Sequence, residues 1–208
     1  MFKQAIIDGL LTKNPTKHVT LPKMKKFNKH RELHQEDLEI IFKYAGKWKL
    51  YYLFLLYTGL RASDVAMLRY SDIDNEKSII TTLVRKSDRI HQIPLSDTLI
   101  KELSYWGEND EPIFPNLYAD TYRKRNDLQA NPRKYLQNIL KNNNREKATL
   151  HSFRVTFNCI LRNNGLKIED RQKLLAHSSS ETTKIYTHPN LELARKHVNK
   201  IPCYFNGV

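Results

Sequence analysis

One segment constrains the possible folds of this chain more than any other: residues 151–186, HSFRVTFNCILRNNGLKIEDRQKLLAHSSSETTKIY. Its first apolar residues recur at the spacing of one helix face, and they are Phe153, Phe157, Ile160 and Leu161. His151 and Arg154 are three residues apart in the same pattern, so their side chains should share one face. The segment is therefore predicted to begin with an amphipathic helix that carries a histidine beside an arginine.

A helix break and a second short helix follow in the same segment. Asn163-Asn164-Gly165 is typical of a helix end, because glycine and asparagine adopt the left-handed conformation that closes a helix. A second helix is predicted from Glu169 to Ala176, with His177 at its C-terminal end and Tyr186 nine residues later. The sequence thus brings four polar side chains into one unit of loop, helix and loop: His151, Arg154, His177 and Tyr186.

Helical patterns also precede this unit. Apolar residues from Leu33 to Ala45 follow one helix face, and Trp48 to Tyr57 form an apolar helix that should begin the core. Thr58-Gly59 ends that helix, and Arg61 stands at the start of a third one, ASDVAMLRY. From the residues alone, the simpler interpretation of Arg61 is that it caps this helix or pairs with Asp64.

The period then changes from a helical to a strand pattern. Ser78 to Val84 is rich in β-branched residues and Ile90 to Leu95 forms a second strand, so the two should pair as a hairpin. The polar turn contains Arg85 and Lys86, with Arg89 just beyond it. A turn lysine is usually only solvent-exposed, but a hairpin tip is also an arm that can reach a DNA groove. All three cations are candidates for that contact.

Two further helices, predicted between residues 119 and 142, concentrate basic side chains. They are Arg123, Lys124, Arg125, Arg133, Lys134 and Lys141. The whole chain has 35 Lys and Arg against 22 Asp and Glu, a net charge of +13, so its field attracts a polyanion. Charge runs are often no more than solvated faces. Because neutralised phosphates supply most sequence-independent affinity for DNA, we interpret this block as a surface that contacts the DNA backbone.

Cysteine content and hydropathy exclude several classes of protein. Two cysteines provide neither a disulfide framework nor metal-ligand spacing, which indicates a reducing intracellular compartment. The longest apolar run, residues 50–57, is far shorter than the roughly 20 residues that span a bilayer. His177 and His188 lack the cysteine or carboxylate that would complete a metal site. No membrane span, metal or cofactor is therefore expected.

These motifs, in this order, resemble the catalytic domain of the tyrosine recombinases, the phage integrase family. The densest match is residues 174–188, LLAHSSSETTKIYTH. The family's first arginine box is matched by residues 58–74, TGLRASDVAMLRYSDID, and its lysine-bearing hairpin by residues 84–96, VRKSDRIHQIPLS. The resemblance covers about residues 33–200 and implies a mostly helical α+β domain with a small antiparallel sheet.

By this resemblance, six residues would cleave and rejoin DNA strands: Arg61, Lys86, His151, Arg154, His177 and Tyr186. Tyr186 would attack the phosphorus and form a covalent 3′-phosphotyrosine, without metal or ATP. Arg61 and Arg154 would clamp the non-bridging oxygens. Asp64 would orient Arg61, and Lys86 would protonate the leaving 5′-oxygen. His177 would hydrogen-bond the phosphate, and His151 would assist proton removal from Tyr186 or position the phosphate.

The resemblance also implies a domain organisation and partners. Residues 1–31 would be a linker and the remnant of an absent N-terminal DNA-binding domain, and residues 32–208 a catalytic domain ending in a helix and a tail. Whether the chain is a trimmed fragment or a naturally short protein stays open. The protein would be intracellular and act on double-stranded DNA. It would be a monomer when free and a homo-oligomer, such as a tetrameric synapse, on DNA.

Two other functions are consistent with the same residues. One is a DNA-relaxing enzyme of the type IB topoisomerase kind, and the other is a catalytically silent DNA-binding module of the same fold. The intact set of six residues argues against a silent module. Recombination and relaxation differ in whether the free 5′ end of a partner duplex is joined, which the sequence does not reveal. The target sequence and the origin of such a mobile element are equally open.

Overall fold

The structure is a computed structural model that describes residues 2–17, 19, 30–84, 89–103, 110–175 and 190–205. The helices within these residues are α1 (Phe2–Ile7), α2 (Gln35–Tyr44), α3 (Lys49–Thr58), α4 (Ala62–Val65), α5 (Asp97–Glu102), α6 (Tyr122–Leu128), α7 (Ala130–Asn142), α8 (Leu150–Asn163), α9 (Ile168–Leu174) and α10 (Leu191–Val198). The strands are β1 (Ile73–Asp74), β2 (Ile79–Val84) and β3 (Arg89–Pro94). None of these helices is long and apolar enough to cross a membrane.

Helix α3 runs through the centre of the core. Its residues from Tyr51 to Thr58 are all buried, which explains why the sequence there is apolar on every side. Each fully buried leucine or phenylalanine contributes about 2 kcal/mol to folding. α3 packs against α8, where the ring of Tyr52 stacks on Phe153 with centroids 5.4 Å apart. The Tyr52 hydroxyl donates to the Pro132 carbonyl at 2.7 Å, so this buried ring leaves no polar atom unsatisfied.

The three strands form one antiparallel sheet in the order β1, β2, β3. Ile80 of β2 pairs with Ile93 of β3, and both side chains are fully buried. α10 packs against β3. Near the turn, by contrast, Leu83 is 44 % exposed and Ile90 is 76 % exposed. The hairpin therefore buries one face against the body of the protein and exposes Leu83 and Ile90 on the other.

The predicted fold class is confirmed, because the described residues form a mostly helical α+β domain with a small antiparallel sheet. Some boundaries differ. The helix after Arg61 ends at Val65, where the Leu68 N–H bonds the Val65 carbonyl in a tighter turn instead of continuing the helix. Strand β1 was not predicted, because its two residues are too few to show an alternating pattern.

The N-terminal segment, residues 1–31, contacts the rest of the protein through its last residue, Arg31. Ile7 and Leu10 are largely exposed. Arg31, by contrast, donates to the Asp37 carboxylate at 2.6 Å and to the Glu146 carbonyl at 2.7 Å. The interpretation of residues 1–31 as a linker and domain remnant stays a prediction.

Candidate active site

Arg61 follows a tight contact between α3 and α8. Gly59 ends α3 with φ at +61°, a left-handed conformation that glycine adopts without strain. A β-carbon at Gly59 would lie 2.2 Å from Cδ1 of Phe157 in α8, far inside a normal contact. The chain therefore turns directly against α8 before it reaches Arg61, the residue that precedes α4.

Asp64, three residues later in α4, forms an ion pair with Arg61. Nη1 of Arg61 lies 3.8 Å from Oδ2 of Asp64. The Asp64 side chain is only 2 % exposed, whereas that of Arg61 is 24 % exposed. A buried carboxylate thus pairs with a guanidinium that is partly exposed and so accessible to an anion.

Arg154 lies on α8 and is buried among backbone carbonyls. Its Nη1 donates to the Gly59 carbonyl at 2.6 Å, and its Nη2 donates to the Leu175 carbonyl. The side chain therefore joins the end of α3, the middle of α8 and the end of α9. A guanidinium has more N–H donors than these two bonds use, so it can also serve an anion.

Arg61 lies close enough to Arg154 to affect the pKa of Arg154. Burial is the main cause that lowers the pKa of Arg154, and the positive charge of Arg61 lowers it further, whereas Asp64 opposes both. The resulting pKa is about 10. Two cations held together in a partly dry site repel each other. A bound phosphate would relieve this repulsion and gain from the low dielectric of the site.

His151 lies in the first turn of α8 and shares a surface cavity with Arg61. The cavity has a volume of about 190 Å³, and Arg125, Gln129 and Tyr122 also line it. His151 is exposed. A histidine, two arginines and a tyrosine thus line one open cavity, and side chains of these types can donate hydrogen bonds to an anion.

His30, the first residue of the described stretch 30–84, contacts His151. The two imidazole centroids are 4.6 Å apart with an interplanar angle of 51°. Nδ1 of His30 lies 2.8 Å from Oγ1 of Thr149, the residue that precedes α8. The sequence contained no signal for this contact, because His30 and His151 are distant along the chain. The junction between the N-terminal segment and α2 therefore abuts the site.

Four of the predicted DNA-contact residues are exposed on α6 and α7: Arg123, Lys124, Arg133 and Lys134. α6 also supplies Tyr122 and Arg125 to the cavity that holds Arg61. The basic block and the cavity beside Arg61 thus belong to adjoining surface. Tyr122 is 75 % exposed beside this cavity and was not singled out from the sequence.

Arg125 differs from its basic neighbours. It is 9 % exposed, and its Nη1 donates to the carbonyls of Ala119 and Asp120, each at 2.7 Å. These bonds brace the loop that leads into α6. The loop carbonyls thus draw this guanidinium inward, whereas Arg123 and Lys124 on the same helix are exposed. A DNA contact by Arg125 stays a prediction.

Several predicted site residues lie outside the described residues. They are Arg85, Lys86, His177 and Tyr186. Arg89 is the first residue of β3, and the structure describes its backbone but not its side chain. The structure therefore brings Arg61, Asp64, His151 and Arg154 together, and the roles of the remaining residues stay predictions.

His91 is a buried polar residue that the sequence interpretation missed. It lies on β3 opposite Thr82 and is 8 % exposed. Its Nε2 is 2.7 Å from the Leu174 carbonyl oxygen at the end of α9. Burial lowers the pKa of His91, the Leu174 bond opposes this effect, and the nearby charges of Arg154 and Arg61 lower the pKa further. Period-two alternation with the buried Ile93 could have indicated that His91 points inward.

Among the described residues, no group of three or more histidine, cysteine, aspartate or glutamate side chains is arranged to hold a metal ion. The described part of the site is dominated by arginine and histidine, which suit a phosphate or another anion.

Comparison with known proteins agrees with this geometry. The sequence profile of the phage integrase family matches residues 27–192. A probable integrase/recombinase of Acholeplasma phage L2 is 31 % identical over 179 residues, which cover 80 % of this chain and 61 % of that protein. The tyrosine recombinase XerA of Pyrococcus furiosus is 32 % identical over 178 residues, covering 84 % and 60 %. The chain belongs to the phage integrase family.

A solved integrase structure has a similar fold. A crystal structure of a lambda integrase dimer bound to a COC′ core site superposes with a TM-score of 0.65 at 18 % identity, covering 86 % of this chain and 68 % of that one. The chain spans about three fifths of the length of the two curated relatives. The resemblance drawn from the motifs is therefore confirmed at the level of family and fold.

Proposed function

We propose that this chain is the catalytic part of a site-specific DNA recombinase that cleaves and rejoins strands through a 3′-phosphotyrosine. The observation that carries the proposal is the placing of Arg61 and Arg154. Arg154 reaches the Gly59 carbonyl across the contact between Gly59 and Phe157, two residues before Arg61. Membership of the phage integrase family supports the same conclusion.

The two arginines would bind the non-bridging oxygens of the scissile phosphate. Each guanidinium offers planar, paired N–H donors, which match two oxygens better than an ammonium does. Arg154 is oriented in advance by its bonds to the Gly59 and Leu175 carbonyls, and Arg61 is paired with the Asp64 carboxylate. Donors that need no reorganisation stabilise the charge that develops as the phosphorus gains a fifth oxygen.

The bond-making step would use residues beyond the described part. The Tyr186 oxygen forms a bond to phosphorus while the bond to the 5′-oxygen breaks, and the tyrosine proton passes to a base, for which His151 is the candidate on the described side. Lys86 donates a proton to the departing 5′-oxygen. His177 hydrogen-bonds the phosphate. Because the phosphotyrosine retains the bond energy, attack by a second 5′-hydroxyl reverses the step without ATP, and no metal is needed.

Double-stranded DNA would lie across the adjoining basic surface. Arg123, Lys124, Arg133 and Lys134 are exposed there and would neutralise backbone phosphates. The side chains predicted to reach DNA from the hairpin are Arg85 and Arg89. The lambda integrase relative was crystallised as a dimer on DNA. We expect this protein to be a monomer when free and, by analogy with that dimer, to assemble as an oligomer, up to a tetrameric synapse, on DNA inside a cell.

A trapping experiment tests the proposal. The chain is incubated with nicked duplexes whose central segment is randomised, so that a short 3′ fragment diffuses away after cleavage and leaves the protein attached. We expect a denaturant-stable adduct with wild type, unaffected by EDTA, and none with Tyr186→Phe. A second duplex with a free 5′-hydroxyl should then be joined. Failure of wild type to form an adduct on any duplex, or an adduct in the Tyr186→Phe variant, would contradict the proposal.

A further inference from the structure

The C-terminal end of α9 is held by two side chains from different elements. Nε2 of His91 on β3 contacts the Leu174 carbonyl at 2.7 Å, and Nη2 of Arg154 on α8 donates to the next carbonyl, that of Leu175. The last carbonyls of a helix lack partners within the helix, so such bonds determine how its end is seated. In the sequence, His177 follows two residues after Leu175.

The histidine must donate in this pair. A carbonyl oxygen only accepts hydrogen bonds, so Nε2 of His91 carries the proton. A neutral donor suits this position, because burial lowers the pKa of His91 and the charges of Arg154 and Arg61 lower it further. A lysine or arginine here would add a third positive charge to a nearly buried site.

His91 also belongs to the hairpin that contains the predicted general acid. It pairs with Thr82 in the register between β2 and β3, and Lys86 lies between these strands in the sequence. At 8 % exposure, His91 is too buried to meet DNA, so it can act only through the elements that it joins.

We propose that His91 is a positioning residue, whose hydrogen bond to Leu174 seats the β2–β3 hairpin on the end of α9 and so sets the general acid relative to the two arginines. The inference rests on the proposed function, because it assigns a consequence for cleavage. The bond itself is a property of the fold and can be measured without DNA.

The test compares three substitutions of His91 with a control on the same strand. His91→Phe keeps an aromatic ring and removes the donor. His91→Gln places a neutral amide N–H where Nε2 donates to the Leu174 carbonyl. The side chain in His91→Asn is too short to reach that carbonyl. The matched control is Gln92→Ala, because Gln92 is the next residue on β3, points to the opposite face and is only half-buried.

The DNA is the duplex to which wild type becomes covalently attached in the trapping experiment. We expect His91→Phe and His91→Asn to lower the single-turnover cleavage rate about tenfold or more, because small misplacements of catalytic groups cost this much. The Kd for DNA should stay within about twofold, since the phosphate-contact surface is untouched. His91→Gln should restore most of the rate, and Gln92→Ala should match wild type. Equal rates in all variants, a Kd that rises as the rate falls, or no rescue by glutamine would overturn the proposal.

Hydrogen exchange of residues 168–175 separates this inference from the proposed function. Exchange should be faster in His91→Phe than in wild type and close to wild type in His91→Gln, whether or not any duplex is cleaved. Unchanged exchange in His91→Phe would overturn the proposal even if cleavage falls. If wild type forms no adduct, the proposed function fails, and the exchange data still decide whether His91 seats α9. If His91→Phe does not fold, His91→Asn against His91→Gln makes the same comparison.

Discussion

Nη1 of Arg154 donates a 2.6 Å hydrogen bond to the carbonyl oxygen of Gly59, across 95 residues of sequence. The bond joins α8 to the turn that leads into Arg61. Because the same guanidinium also holds the Leu175 carbonyl, one side chain links the three segments that the sequence motifs had identified separately. The site therefore depends on how closely α3 approaches α8.

Gly59→Ala tests that approach. A β-carbon would meet Phe157 at 2.2 Å and also force a non-glycine residue into φ of +61°. We expect the free energy of unfolding to fall by about 3 kcal/mol, from backbone strain and overpacking together. Gly165→Ala is the matched control, because its φ is +86° but nothing lies within 4 Å of the added carbon. The control should lose only about 1 kcal/mol. Urea unfolding measures both, and equal losses would show that the contact with Phe157 is not tight.

Arg61→Ala and Arg154→Ala test the phosphate clamp. Each should lower the cleavage rate about 100-fold or more, because each removes a preorganised donor from a developing charge. Arg154→Ala should also lower the free energy of unfolding by about 2 kcal/mol, since it leaves two buried carbonyls without their partner. Arg162→Ala, an exposed arginine on the same helix, is the control and should keep wild-type cleavage. Wild-type cleavage by either clamp variant would remove that arginine from the mechanism.

The acid stability of the protein should depend on Asp37. Burial alone would raise the pKa of this carboxyl, but hydrogen bonds from Arg31 and Arg145 outweigh it and lower the pKa from 3.8 to about 2. At a pH between these two pKa values, unfolding therefore takes up a proton. The stability that Asp37 contributes is fully present above pH 4 or so and is lost as the pH falls toward 2, by about 2 kcal/mol. Unfolding of wild type and Asp37→Asn between pH 2 and 5 measures it. A pH dependence that is the same in both proteins would contradict the assignment.

Neighbouring arginines on α6 should behave differently when substituted. Arg123→Gln removes an exposed cation and should weaken DNA binding, with a salt slope smaller by about 0.9 for one lost phosphate contact. Arg125→Gln removes the bonds to the Ala119 and Asp120 carbonyls, so it should lower the free energy of unfolding by about 2 kcal/mol. Titrations at several salt concentrations and urea unfolding separate the two effects. Equal stability of both variants would show that Arg125 does not brace the loop.

Much of the fold could be predicted because its periodicity is local. The fully apolar α3 and the helical spacing of Phe153 and Phe157 on α8 are visible in the sequence. The inward orientation of Arg154 and Arg125 could not be predicted, because their partners are backbone carbonyls. Every residue has one, so the sequence does not indicate which of them an arginine will bind. The contact of Gly59 with Phe157 likewise depends on tertiary distance, and the left-handed turn alone suggested only a helix end.

The site divides in the same way. The grouping of Arg61, His151 and Arg154 could be predicted, because the family motifs place them at fixed spacings, whereas their roles stay predictions. His91, His30 and Tyr122 could not, because each gains its meaning only from a neighbour far away in sequence. His91 is the clearest example, since its partner at Leu174 is separated from it by 83 residues.

The most direct test of the central claim is mass spectrometry of the trapped adduct. After nuclease and trypsin digestion, the peptide IYTHPNLELAR, residues 185–195, should carry a nucleotide linked through a phosphate to Tyr186. The same peptide from Tyr186→Phe should be unmodified. A nucleotide on any other residue, or on the Tyr186→Phe protein, would contradict the assignment of Tyr186 as the nucleophile.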